Sequence, residues 1–149
     1  MPEELHRLVY CSRANLGGTP EQQRQDIAAI LDAARRNNAR FDITGALLFS
    51  RGFFAQTLEG PLPAIERIFE RIQRDQRHRD VTILQIERSS RRVFGEWTMA
   101  FAGEPEGSHQ FASMALDHAF TVQPGEAGRE VLTMLQELVQ TEEKWEAAA

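Results

Sequence analysis

The chain has 149 residues, a formal net charge of −5, 42% hydrophobic and 26% charged residues, an ordinary globular composition for one domain able to bury about two-thirds of its unfolded surface without metal or disulfide help. No apolar run reaches the roughly 18 residues of a membrane span, and the acidic balance argues against broad nucleic-acid binding. The single cysteine, Cys11, cannot form an internal disulfide and is far from a zinc site, so no metal centre is expected.

Met-Pro-Glu-Glu at the start lacks the basic-then-apolar order of a signal peptide, and a cytoplasmic protein is expected. Leu5 to Cys11 alternates, with Leu8 and Tyr10 on one face and Val9 and Cys11 on the other, which predicts a first strand. After a polar loop over 12–18, Thr19-Pro20-Glu21-Gln22 combines an N-cap threonine, a proline at the first helical position and a capping-box glutamine. The helix that starts there carries the stripe Ile27, Ile30, Leu31, Ala34, and the next member at that spacing is Asn38.

Ile43 to Phe49 predicts a second strand, joined through Arg51-Gly52 to a third over residues 53–60 in a hairpin. In that third strand Phe54, Gln56 and Leu58 share one face, so an apolar row holds a glutamine at its centre. Gly60-Pro61 closes the hairpin, and Ile65, Ile68, Phe69 and Ile72 at i, i+3, i+4 and i+7 predict a second helix ending in Asp75-Gln76-Arg77-His78. Val81 to Glu87 reads as a fourth strand, and Val93 to Ala102 as a fifth with Val93, Trp97, Met99 and Phe101 on one face.

The order β-α-β-β-α-β-β suits an α+β sandwich of ferredoxin-like type with both helices on one face of a mixed sheet. Past a charged break over 103–107, weakly amphipathic stripes at Phe111, Met114 and Ala115 and at Val131, Leu135, Leu138, Val139 and Trp145 predict a helical hairpin linked by Val122-Gln123-Pro124-Gly125. We therefore divide the chain into residues 1–102 and a helical extension, 103–149, expected to cover the other sheet face or to mediate contacts with a second copy or a partner.

Three polar side chains sit on rows that otherwise face the core: Tyr10, Asn38 and Gln56. Each has an ordinary explanation, a bonded phenol or a helix-end cap, but a buried carboxamide without partners costs on the order of 1–3 kcal/mol. Together they suggest a polar pocket between helices and sheet. Its β-branched walls, Ile27 and Ile30 opposite Ile68 and Ile72, suit a flat aromatic ring system whose edge the carboxamides would satisfy. Asp75, Arg77 and His78 would lie at the mouth. Local basic clusters at Arg35, Arg36 and Arg40 and over Arg71 to Arg79 are either a solvated helix face or the seat of a phosphate-bearing small molecule.

The motifs Leu8-Val9-Tyr10-Cys11-Ser12, Asn37-Asn38-Ala39-Arg40 with Ile43-Thr44-Gly45, Phe54-Ala55-Gln56-Thr57-Leu58-Glu59-Gly60, Asp75-Gln76-Arg77-His78, and Phe94 with Trp97-Thr98-Met99 resemble, in order and spacing over about residues 5 to 102, the BLUF domains, blue-light sensors that use flavin. The resemblance implies a noncovalent flavin (FAD, FMN or riboflavin) between the helices, its ring between Ile30 and Ile72 and its pyrimidine edge on Asn38. It further implies contacts from Phe54 and from Asn37, Arg71, Asp75, Arg77 and His78 to the ring edge or the ribityl and phosphate tail. Tyr10 and Gln56 match the family's photoactive pair, with Met99 and Trp97 its neighbours; Tyr10 would give an electron and proton, and Gln56 would rotate or tautomerise. Ala34 departs from the serine that several relatives carry. No effector domain is recognisable after residue 102, so the resemblance implies a photosensor rather than an enzyme, signalling to a separate downstream protein, with a homo-oligomer expected.

Two other readings compete. A small acylphosphatase-like enzyme on the same fold would use Arg13 and Asn38 to bind a phosphoryl group, and a ligand-free interaction module would satisfy its core polar groups internally. The acylphosphatase reading gives Tyr10, Gln56 and Met99 no role.

Overall fold

The computed structural model describes residues 4–16, 18–50, 52–95, 97–103, 126 and 128–137. The elements are β1 (Leu5–Ala14), α1 (Pro20–Arg40), β2 (Thr44–Ser50), β3 (Phe53–Pro61), α2 (Leu62–Arg74), β4 (His78–Ser89) and β5 (Ala100–Gly103). The predicted capping box opens α1: the Thr19 hydroxyl accepts from the Gln22 amide at 3.1 Å while the Gln22 side chain accepts from the Thr19 amide at 3.2 Å. Gly52, with φ at +87°, makes the left-handed turn between β2 and β3 that a side chain would strain.

The sheet order is β4-β1-β3-β2-β5, with β5 parallel to β2 and the other pairs antiparallel. The first four strands and two helices are the ferredoxin-like arrangement expected, and β5 extends it at the β2 edge. In the centre, Tyr10 of β1 stands directly opposite Gln56 of β3. Side chains of α1 and α2 cover one sheet face in a cluster that includes Leu8, Tyr10, Phe54, Leu58, Ile65 and Met99.

A second cluster, on the opposite face, gathers Val9, Cys11, Ala55, Leu84 and Phe94 with Val131 and Leu135. Residues 128–137 are helical and bring Val131 and Leu135 into this cluster; the first arm of the expected hairpin, its linker and Leu138, Val139 and Trp145 lie outside the described residues. Residues on both sides of the 102/103 division thus share one core. Gly128 is the close approach: a Cβ there would meet the Gln85 Cβ at 2.4 Å and the Leu84 carbonyl oxygen at 3.0 Å.

The fifth strand differs from expectation. Regular pairing covers only Ala100–Gly103, and residues 93–95 and 97–99 lie outside any strand. Val93 and Trp97 pack on the cluster beside the C-terminal helix, whereas Met99 and Phe101 belong to the cluster under α1 and α2. The four residues placed on one row therefore split between two faces. Among the described residues, no helix is long and apolar enough to cross a membrane and no group of three or more His, Cys, Asp or Glu could hold a metal.

A methyl group at Gly128 must push the helix off β4, an overpacking cost of about 1–3 kcal/mol. Gly128→Ala is expected to lower the urea midpoint of unfolding and to speed amide exchange within 128–137; unchanged values would mean that the helix is not seated on β4.

Candidate functional site

Between α1, α2 and the sheet lies a cavity of about 130 Å³. A single water needs only about 10–15 Å³, so this is space for a molecule. Ile30, Ala33 and Ala34 of α1 and Ile68 and Ile72 of α2 form its walls, and Leu47, Phe54, Gln56 and Tyr10 its sheet side. Asn37, Asn38, Arg71, Asp75, Arg77 and His78 supply its polar lining. Thirteen of the residues singled out from the sequence thus meet at one place: helix period 3.6 and strand period 2 aim those on helices and strands inward, and the turn after α2 adds Asp75 and Arg77.

Met99 stands behind this lining rather than in it. The Tyr10 phenol donates to the Gln56 Oε1, and the Gln56 Nε2 lies 3.5 Å from the Met99 sulfur, all three being buried. Trp97 is elsewhere: it packs on the far side of the sheet, its ring 6.5 Å from that of Phe94. The row shared by Trp97 and Met99 in the sequence reading is broken by the bend before β5.

Asn38 is 1% exposed. Its Nδ2 donates to the Thr98 carbonyl at 2.7 Å, which fixes the amide orientation because a carbonyl can only accept. Its Oδ1 is buried without a partner, the condition that a ligand N–H at this wall would relieve. One helical turn back, the Arg35 Nε donates to the Met99 carbonyl at 3.1 Å. Sequence reasoning missed Arg35 and Thr98 as part of this frame; a basic residue one turn before Asn38 was the available signal.

At the mouth, the His78 Nε2 sits 2.6 Å from the Ile72 carbonyl and must donate to it, and its Nδ1 is hydrogen-bonded to the Ser12 hydroxyl at 2.8 Å. Ser12 closes the first family motif, and the sequence places it at the start of a loop, whereas the structure keeps it in β1. Arg77 grips Asp75 through its Nε at 2.9 Å and its guanidinium NH₂ at 2.6 Å, and the Arg77 amide adds a third bond at 2.9 Å.

These hydrogen bonds hold the Asp75 carboxyl below its ordinary range against the opposing effect of burial, and raise Arg77 in return. Burial, reinforced by the Asp75 charge, pushes the Tyr10 phenol well above its usual value, so it stays protonated at neutral pH. Burial likewise pushes the Cys11 thiol up to about 12, which keeps it out of thiolate chemistry.

Arg13 does not join Asn38. It lies 3.5 Å from Asp80 and over the Phe53 ring at 5.2 Å, and Phe53 belongs to the cluster on the opposite face. The two residues of the acylphosphatase reading are on different sides of the sheet, and that reading falls.

A carboxyl whose folded value is lowered stabilises the fold above its unfolded value, about 3.9 for Asp, and loses that contribution as pH falls through the folded value. Asp75→Asn is therefore expected to be less stable than the parent at pH 7 in urea melts, with the gap narrowing as pH falls below about 3.9; a gap that does not change with pH would assign the loss to packing instead of charge.

Comparison with known proteins matches this geometry. Residues 5–100 match the BLUF family, described as sensors of blue-light using FAD. Photoactivated adenylate cyclase subunit beta of Euglena gracilis is 43% identical over 101 residues, which are 67% of this chain and 11% of that protein; the chain thus spans a small part of the cyclases it resembles. The dark-state structure of BlrB, a BLUF protein, superposes with a TM-score of 0.71 at 29% identity, covering 95% of this chain and 99% of that one. The photo-activated state of BlsA gives 0.73 at 27% identity, covering 89% and 94%. With the family's match running from the first strand to the start of the fifth, and the same fold in BlrB and BlsA, this chain belongs to the BLUF family of flavin-binding blue-light sensors.

Proposed function

We propose that this chain holds its flavin noncovalently in the cavity between α1 and α2 and senses blue light through Tyr10 and Gln56. The observation that carries the reading is the Gln56 carboxamide: it accepts from the Tyr10 phenol at one end and presents its Nε2 toward Met99 at the other, inside a cavity wide enough for a ring system. The unpartnered Asn38 Oδ1 fits the N–H of a flavin pyrimidine edge, and Ile30 and Ile72 fit the two ring faces. A flavin bound there supplies, on absorbing blue light, an acceptor able to oxidise a phenol.

The phenol is a donor kept protonated by burial. On losing an electron it becomes strongly acidic, and its proton lies on the bond to Gln56 Oε1. A primary amide that takes a proton at oxygen and yields one at nitrogen, or that turns by half a revolution, exchanges the donor and acceptor it shows to the cavity and to Met99. Once electron and proton are back on Tyr10, the altered amide persists as the signalling state, relayed through Met99 to β5 and onward to a separate effector. A homo-oligomeric assembly, and the C-terminal extension as its output surface, belong to the same proposal.

The finer choice among flavins is supported by the charges grouped with Arg71. The guanidiniums of Arg40, Arg67 and Arg71 lie 5.4, 5.5 and 5.9 Å from the centre of the Phe41 ring, and Arg71 also lines the cavity. Three like charges around one ring repel one another, and a phosphate placed among them would offset that repulsion. A phosphate-bearing flavin, FAD or FMN, is the form proposed.

Tyr10→Phe is expected to take up flavin yet lose the light-induced, reversible red shift, followed by absorption before and after blue light; a normal shift would remove Tyr10 as donor. FMN and FAD should bind about tenfold or more tightly than riboflavin, and Arg67→Gln should shrink that ratio by roughly threefold while leaving riboflavin unaffected, in flavin-fluorescence titrations. Equal affinities for all three would refute the phosphate reading.

A further inference from the structure

Glu59 is a carboxylate 1% exposed on the sheet face opposite the cavity. Its Oε2 accepts from the Val93 amide at 2.6 Å and its Oε1 from the Phe94 amide at 2.9 Å. The Thr44 hydroxyl reaches Oε1 at 3.2 Å and the Arg7 Nε reaches Oε2 at 3.4 Å. Arg92 ties the same point from outside, donating to the Thr44 hydroxyl at 2.9 Å, the Glu59 carbonyl at 3.2 Å and the Asp42 carbonyl at 3.0 Å.

These bonds fall on the stretch that has no ladder of its own. Between β4 and β5 the chain is held at its start by Glu59 and Arg92, in the middle by Gly45 donating to the Trp97 carbonyl at 3.2 Å, and at its end by Asn38 and Arg35 on the Thr98 and Met99 carbonyls. Glu59 takes two successive amides out of strand geometry, so the backbone curls at Phe94, and the curl sends Trp97 to one face and Met99 to the other. Gln56 and Glu59 stand three residues apart on one strand and face opposite sides: one meets Met99 directly, the other holds the segment that delivers Met99.

We propose that Glu59 is a positioning residue for the light response: its buried carboxylate, braced by Arg7 and Thr44, sets the Met99-inward, Trp97-outward arrangement and so governs how long a changed Gln56 persists. The proposal rests on the Tyr10–Gln56 reading above, but its structural half does not need flavin. It assigns no contact with the flavin to Glu59.

The test is Glu59→Gln in a Trp145→Phe background, where Trp97 is the one tryptophan left in the chain. The amide keeps the shape but turns one oxygen into an NH₂ facing a backbone N–H, which breaks one bond of the clamp. Flavin affinity is expected to stay within about threefold of the parent, Trp97 emission in the flavin-free protein to shift, and dark recovery of the red shift to change by about tenfold. Parental Trp97 emission together with parental recovery would overturn the proposal. Should Glu59→Gln fail to fold, Thr44→Val decides: it removes a brace that both Glu59 and Arg92 use, and a smaller change in the same two readouts is expected, with none counting as refutation. A chain that takes up no flavin would sink the flavin reading alone, since Trp97 emission still reports on the clamp.

Discussion

Burial of β3 on both faces is the constraint from which the rest follows. Every residue from Phe53 to Pro61 is buried, because α1 and α2 cover one side and the helix over 128–137 covers the other. A central strand so enclosed cannot leave polar side chains to water; each must find its partner inside. Gln56 finds Tyr10 and Met99 on the helix side, and Glu59 finds Arg7, Thr44 and two backbone amides on the far side. The two polar interruptions of one strand therefore organise the two faces of the sheet.

This arrangement joins the Gln56 amide to parts of the molecule that have no contact with the cavity. Tyr10 and Gln56 are a cross-strand pair whose immediate neighbours, Val9, Cys11 and Ala55, point the other way and pack in the cluster that holds Val131 and Leu135. Strand period 2 makes this unavoidable: whatever moves Tyr10 or Gln56 shares a backbone with the floor of the C-terminal helix. Gly128 brings that helix close to β4, so small shifts of the sheet have little slack to absorb them.

Much of the site was legible in the sequence because it rests on periodicity. Ile30, Asn38, Gln56, Tyr10, Ile68 and Ile72 fall where a 3.6-residue and a 2-residue repeat place them, and their polar members stood out as interruptions of apolar rows. Asp75, Arg77 and His78 follow the second helix directly, the family resemblance adds Asn37 and Arg71, and the cavity gathers them all. The apolar alternation around Trp97 misled for a definite reason: Val93 to Phe101 has strand-like composition, but local composition does not register a carboxylate thirty-odd residues away that claims the Val93 and Phe94 amides. The partners of Arg35 and Ser12 were not legible either, since a backbone carbonyl or a histidine nitrogen as partner leaves no sequence pattern.

By itself the sequence determined the order of elements, the rows that face the core, the polar residues that interrupt them and the family to which they point, because these depend on neighbours a few positions apart. The tertiary structure decided which partners those residues have: that Arg13 and Asn38 lie on opposite sides of the sheet, that Met99 meets Gln56 while Trp97 turns away, and that Glu59 fastens the segment between them. Such pairings join residues tens of positions apart, and hydrogen bonding and burial select them only once the strands have come into register.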